Sequence, residues 1–213
     1  MSAKKDTQPV RRRPLNALQH IEKQHPYVVM LYVGMIGISA MFLFLLFSFR
    51  FYEIQEEVLA RFRFPTGFVI STCLLLMSSL TIHQAKLSFY EDDFLQMRRY
   101  LLITLGLGIG FSVCQVVGWY ELQAAGLAWA SQNSTTYLYL VSGLHVLHLL
   151  GGLAFVGVQA YSIHQKCHDP VKVLIAVTNP HEKMKLTLMT LYWHFMDGLW
   201  VVLFLYFVMA FLF

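Results

Sequence analysis

The sequence predicts an all-α integral membrane protein: five transmembrane helices in one bundle, with a cytoplasmic N-terminus and a periplasmic C-terminus. Three observations lead there. Hydrophobic residues make up 57% of the 213 and charged residues only 13%, against about 25% charged in an ordinary soluble domain. Five apolar segments, at 27–48, 66–85, 100–122, 137–161 and 186–213, each come to roughly the 20 residues that a hydrocarbon slab of about 30 Å demands. Finally, Lys and Arg are divided unequally: six in the N-terminal tail, three in the second loop and four in the fourth, against Arg50, Arg61 and Arg63 in the first loop and none in the third loop or at the C-terminus. Basic residues collect on the cytoplasmic side, which sets the orientation.

Residues 1–25 are basic and proline-containing and read as a cytoplasmic tail. The apolar run that follows is too long for a signal-peptide core and has no small-residue cleavage site, so the tail is expected to be retained. Residues 26–213 form the transmembrane domain, since no polar segment is long enough to bury a core of its own. A net charge of +4 reflects basic span ends, not a nucleic-acid footprint, and nucleic acid is not an expected partner. Cys73 and Cys114 lie inside spans and Cys167 in a loop, an odd set that provides neither a disulfide framework nor metal-ligand spacing.

The first span has no ionisable residue between Val28 and Ser48 and reads as a packing helix that faces lipid. In the second, Ser78, Ser79 and Thr81 fall within one turn. Small hydroxyl residues let helices approach and bond across, although plain packing is the simpler expectation. His83 and Lys86 follow at its cytoplasmic end. The third span holds a Gly106-x-x-x-Gly110 pair, the spacing of a close helix contact, with Gln115 inside and Glu121 at the outer end as structural hydrogen-bonding residues.

Histidine or aspartate in mid-membrane costs free energy unless it faces a partner; aspartate at a helix centre costs about 2.5–3.5 kcal/mol on insertion scales. The fourth span carries His145 and His148, three apart on one face, and the fifth carries His194 and Asp197, also three apart. Antiparallel neighbours would bring the two pairs to comparable depth, because His148 lies eleven residues into its span and Asp197 eleven into its own. His145, His148, His194 and Asp197 are therefore expected to form a buried network in which each pair satisfies the other. Two other readings use the same residues: a metalloprotein or b-type cytochrome ligated by His145, His148 and His194, and a proton-coupled transporter relaying through Asp197. Histidines three apart on one helix do not straddle a haem, and the chain shows no internal repeat of the transporter kind.

Trp119, Tyr120, Trp129, Tyr137 and Tyr139 cluster near the outer interface, as an aromatic belt would. Trp193 and Trp200 flank the His194/Asp197 pair, either packing in the bundle or lining a lipid or partner cleft. Lys86, Arg98 and Arg99 near the inner face are candidates for phospholipid head groups.

Two stretches carry a family resemblance. SGLHVLHLLGGL at 142–153 and YWHFMDGLW at 192–200 resemble the patterns GxHGxHVxxG and YWHFxDxxW of subunit III of the haem-copper terminal oxidases. TGFVISTCLLLMSSLTIHQAK and LLITLGLGIGFSVCQVVGWYEL upstream are similar to further segments of that family, and the likeness extends over residues 65–213. The chain resembles the five-helix form. That resemblance implies a subunit with no cofactor of its own, haem and copper being held by partner subunits. It implies packing on catalytic subunit I, with subunit II in the same complex, and bound phospholipid. It also implies membership of an oxygen-reducing, proton-pumping complex of a bacterial inner membrane; the electron donor, cytochrome c as first choice or quinol, and membership of a larger respiratory supercomplex are left open by the sequence. The family's further roles are support of proton uptake and an apolar path for oxygen. Two departures favour a packing role: the first span lacks the glutamate often found there, and Gly118 stands where a glutamate would follow Gln115, although Glu121 is kept.

Overall fold

The computed structural model describes residues 26–56, 59, 62–167 and 170–212. The tail, residues 1–25, and Arg61 lie outside the described residues. Among the described residues there are six helices: α1 Pro26–Glu56, α2 Thr66–Tyr90, α3 Phe94–Ala124, α4 Asn133–Lys166, α5 Pro170–Thr178 and α6 Pro180–Leu212. All but α5 are long and apolar enough to cross a membrane. The crossing helices outrun their apolar segments because hydropathy marks only the part dissolved in hydrocarbon, while the helix continues as long as its backbone stays paired. Thus α6 starts at Pro180, six residues before the apolar run, with proline where a missing N–H costs nothing.

The ends are closed by specific side chains. Asp93 caps α3, its Oδ1 accepting from Gln96 N at 2.9 Å. Pro65 offers α2 no side-chain cap, and Glu121 from the far end of α3 takes over. It accepts from the Thr66 hydroxyl and from Gly67 N at 3.3 Å, a carboxylate at a helix N-terminus where the macrodipole favours it. Lys166 Nζ lies 3.0 Å from Glu182 Oε2 and ties α4 to the start of α6.

Helices α2 and α3 form the closest pair. A Cβ on Gly67 would lie 2.6 Å from Gly118 N and 2.7 Å from Cys114 O, and one on Gly118 would strike the Phe68 ring at 2.6 Å. Gly108 makes room in the same way for Leu153 Cδ2. The expected contact at Gly106 and Gly110 is not where the helices close. Nothing lies within 4 Å of a Cβ on Gly106, and only Leu74 Cδ1, at 3.4 Å, meets one on Gly110. The pair does not share the face of α3 that is buried, which runs through Thr104, Gly108, Phe111, Gln115, Gly118 and Leu122.

Helix α6 packs against α1, α2 and α4, α4 also packs against α1 and α3, and α5 lies against both α4 and α6. Between them sits an aromatic core that includes Phe42, Phe49, Phe68, Phe111, Trp193, Trp200 and Phe207. By contrast α1 leaves most of its surface open, Met30, Ile36, Phe44 and Phe47 among it.

Candidate functional site

The site grows from the faces of α6. Tyr192 faces α4, donating its hydroxyl to His148 O at 3.1 Å and lying where a Cβ on Gly152 would meet it. Trp193 and Trp200 turn inward to α2. The Trp193 indole Nε1 donates to Ser78 Oγ at 3.1 Å, and the Trp200 Nε1 to Thr72 Oγ1 at 2.9 Å. His194 stands two residues past Tyr192, about 200° round an α-helix, so it points away from α4. Its Nδ1 is 2.9 Å from Ser79 Oγ, and its ring centroid is 6.4 Å from that of His83.

That rotation overturns the expected mutual network. No hydrogen bond joins His145 or His148 to His194 or Asp197. His145 is wholly buried, its ring 5.0 Å from Trp200, 5.8 Å from Phe111 and 6.4 Å from Phe42. Neither of its nitrogens has a hydrogen-bond partner. His148 turns its Nδ1 back to its own helix, 2.7 Å from Leu144 O. Asp197 is buried, and neither carboxyl oxygen is hydrogen-bonded; the nearest ionisable atom is His194 Nδ1, 4.0 Å from Oδ2. The depth expectation fits the geometry, since Tyr192 reaches His148 and Trp200 reaches His145. Orientation about the α6 axis does not.

The hydroxyls do more than pack. Ser78 meets Trp193, Ser79 meets His194, and Thr81 Oγ1 lies 2.7 Å from Thr104 Oγ1 of α3. Gln115 Nε2 donates to Ser71 Oγ at 2.8 Å. These bonds pin α2 to α3 on one side and to α6 on the other. Ser71, Thr72 and Thr104 were not singled out from sequence, yet a signal exists. In antiparallel helices the hydroxyls at 72 and 78 stand opposite the indoles at 200 and 193.

Trp193 and Trp200 are 1% and 0% exposed, so they are core residues and do not line an open lipid cleft; their N–H groups are satisfied inside the bundle. Arg98 borders a groove of about 270 Å³ between α3 and α4, with Leu102, Leu105, Gly157, Ala160, Tyr161 and His164. Lys86 lies on α2 toward His194 and Arg99 is exposed on α3, so the three cations do not converge. Part of the aromatic belt is internal. Tyr139 donates to Trp119 O and Leu127 O, and Trp119 Nε1 to Ser142 Oγ, whereas Tyr120 is exposed. Burial pushes the Cys167 thiol up, and its Sγ lies 3.5 Å from Phe94 O, a packed and unreactive setting. Among the described residues no three His, Cys, Asp or Glu side chains gather closely enough to hold a metal ion.

Several intramembrane polar groups thus bond one helix to the next. The sequence profile of cytochrome c oxidase subunit III matches residues 29–212. The chain belongs to that family. Among its relatives, subunit 3 of the cytochrome bo(3) ubiquinol oxidase of Pseudomonas putida is 26% identical over 142 residues, covering 66% of this chain and 64% of that one. The probable cytochrome c oxidase subunit 3 of Mycobacterium leprae is 31% identical over 134 residues, 62% of this chain and 61% of its own. Cytochrome c oxidase subunit 3 of Thermostichus vulcanus is 27% identical over 135 residues, 63% and 61% respectively. The chain therefore spans a little over three-fifths of the length of the curated relatives it matches. As a subunit III it is a multi-pass membrane protein, and both histidine-bearing stretches, on α4 and α6, lie inside the matched region.

Proposed function

We propose that the chain is a non-catalytic scaffold subunit of a haem-copper terminal oxidase, the kind of complex that reduces oxygen and pumps protons. In this reading it packs on catalytic subunit I, in a complex with subunit II, within a bacterial inner membrane and with its N-terminus in the cytoplasm. Haem and copper reside in those partners, cytochrome c is the electron donor, and phospholipid binds at the surface. Residues 26–213 act as one transmembrane unit behind the cytoplasmic tail 1–25.

The observation that carries this reading is where the intramembrane polar groups are used. Ser71, Thr72, Ser78, Ser79 and Thr81 of α2 are engaged with Gln115, Trp200, Trp193, His194 and Thr104. In bilayers such bonds are worth about 0.6 kcal/mol each, up to about 1.7. They fix the mutual register of helices, which a scaffold needs. The Arg98 groove, a cation beside apolar walls near a helix end, suits a phospholipid whose head group meets Arg98 while its acyl chain lies along Leu102 and Leu105.

Purification through a tag on this chain from native membranes in mild detergent tests the proposal. Mass spectrometry is expected to find haem-bearing subunits in equal stoichiometry, and the chain separated from them is expected to show no Soret band and no bound metal. A stoichiometric Soret band on the isolated chain, or oxidase activity from the chain alone, overturns it. Turnover with reduced cytochrome c, set against quinol, identifies the donor.

A further inference from the structure

The outward face of the α2–α6 seam carries groups that acyl chains do not solvate. Ser79, His83 and Lys86 follow one another on α2 at intervals of four and three residues, which places them on one side of the helix. His83 is exposed and Lys86 half-buried. Opposite them on α6 is His194, whose side chain is 39% exposed. Ser79 engages its Nδ1 at 2.9 Å, and its Nε2 has no partner among the described residues. The buried Asp197 carboxyl lies behind it without a hydrogen bond. Toward the end of the seam Lys183 Nζ sits 5.0 Å from the centre of the Tyr90 ring. Approach is open: Gly198 is exposed, and nothing lies within 4 Å of where its Cβ would be. Leu76, Leu80 and Val202 form apolar flanks.

Depth decides what can cover this face. Ser79 lies thirteen residues from the start of α2 and eleven from its end, about 20 Å and 16 Å along the axis. A phospholipid head group stays at the interface and does not reach the middle of a slab about 30 Å thick. A polar group at that level has to be carried there by protein. Along its length this face sets the ammonium of Lys86 and the imidazoles of His83 and His194 against the buried carboxyl of Asp197, so an acidic, hydrogen-bonding partner complements it. By contrast the wide open side of α1, with Ile36, Phe44 and Phe47, bears no charge and is covered by acyl chains without penalty.

We propose that the α2–α6 seam, centred on His194, is the docking surface for one transmembrane helix of the redox-bearing partner subunit. That helix presents a hydrogen-bonding group to His194 and a carboxylate toward His83 and Lys86. Ser79 is the positioning residue, its hydroxyl engaging Nδ1 and holding the His194 ring. The assignment rests on the reading of the chain as an oxidase subunit.

A photo-crosslinking amino acid placed singly at Leu80 or Val202, and for comparison at Phe44 on α1, Val116 on α3 and Val158 on α4, tests it in the intact complex in native membranes. Leu80 and Val202 are expected to capture a haem-bearing subunit and the other three to label lipid. Capture of that subunit from α1, α3 or α4, with Leu80 and Val202 labelling only lipid or a second copy of this chain, overturns the docking surface and leaves the oxidase reading intact. Failure of the chain to copurify with any haem-bearing subunit overturns both. In parallel, His194→Leu and the double change His83→Leu with Lys86→Leu are expected to cut recovery of this chain with the complex by about tenfold or more, because each strips the polar partner from a buried interfacial contact. The chain's own unfolding midpoint falls by no more than loss of the Ser79 bond accounts for, and His194→Gln restores part of the recovery. Full recovery with both variants also overturns the assignment.

Discussion

His145 and His194 are both intramembrane histidines in stretches that resemble family motifs, and they meet opposite surroundings. His145 is sealed among Phe42, Phe111 and Trp200 with both nitrogens unbonded. His194 is part-exposed, bonded to Ser79, and set beside Asp197 and His83. Neither residue type nor depth separates them. The difference comes from which side of its helix each occupies: one turns into the aromatic centre, the other along the seam with α2. An imidazole in the centre acts as an aromatic filler, and one on the seam acts as a polar handle.

The largest effect that tests this contrast is expected from Trp200→Ala. It removes the ring that packs on His145 and Phe111 and breaks the bond to Thr72. Truncating a buried aromatic costs about 3–5 kcal/mol, read as a lowered denaturant midpoint in detergent micelles. If His194→Leu destabilised the chain as much, the division between centre and seam would be lost. Next, Trp193→Phe keeps the ring bulk but deletes the donor to Ser78 and is expected to cost about 0.6–1.7 kcal/mol in the same assay.

His145→Leu has the opposite sign. A buried polar group without a partner is a liability, and its replacement by an apolar side chain is expected to be neutral or to stabilise by about 1 kcal/mol. A loss above that size would show that the His145 ring has a polar partner inside the bundle. The smallest effect is Ser79→Ala, about 0.6 kcal/mol in unfolding. Its sharper readout is nitrogen NMR of the His194 ring, where the balance of tautomers is expected to shift once Ser79 no longer engages Nδ1.

How much of this was legible follows from what hydropathy encodes. The five spans and the depths of His145, His148, His194 and Asp197 could be read, because length and polarity report position along the membrane normal. Rotation about each axis could not. A transmembrane helix is apolar on every side, so the one-sided pattern that orients a soluble helix is missing. Hence the expected pairing of His145/His148 with His194/Asp197 failed while their levels agreed. The same blindness misplaced the glycine contact, since Gly106 and Gly110 match the motif but Gly67, Gly108 and Gly118 lie on the packed faces. It also left Trp193 and Trp200 divided between cleft and core. Their hydroxyl partners, seen only once α2 is laid antiparallel to α6, settle that in favour of the core. The short α5 went unnoticed because nine residues are too few to show as a span.

The clasp of Glu121 on Thr66 and Gly67 bears on how the protein is built. The Gly67 amide and the Thr66 hydroxyl at the start of α2 find their acceptor on a segment made more than fifty residues later. Until that segment has entered the bilayer, the leading edge of α2 keeps bare donors and has to stay near water. The hairpin of α2 and α3 is therefore completed as a pair, and biogenesis that separates the two leaves the earlier one unfinished.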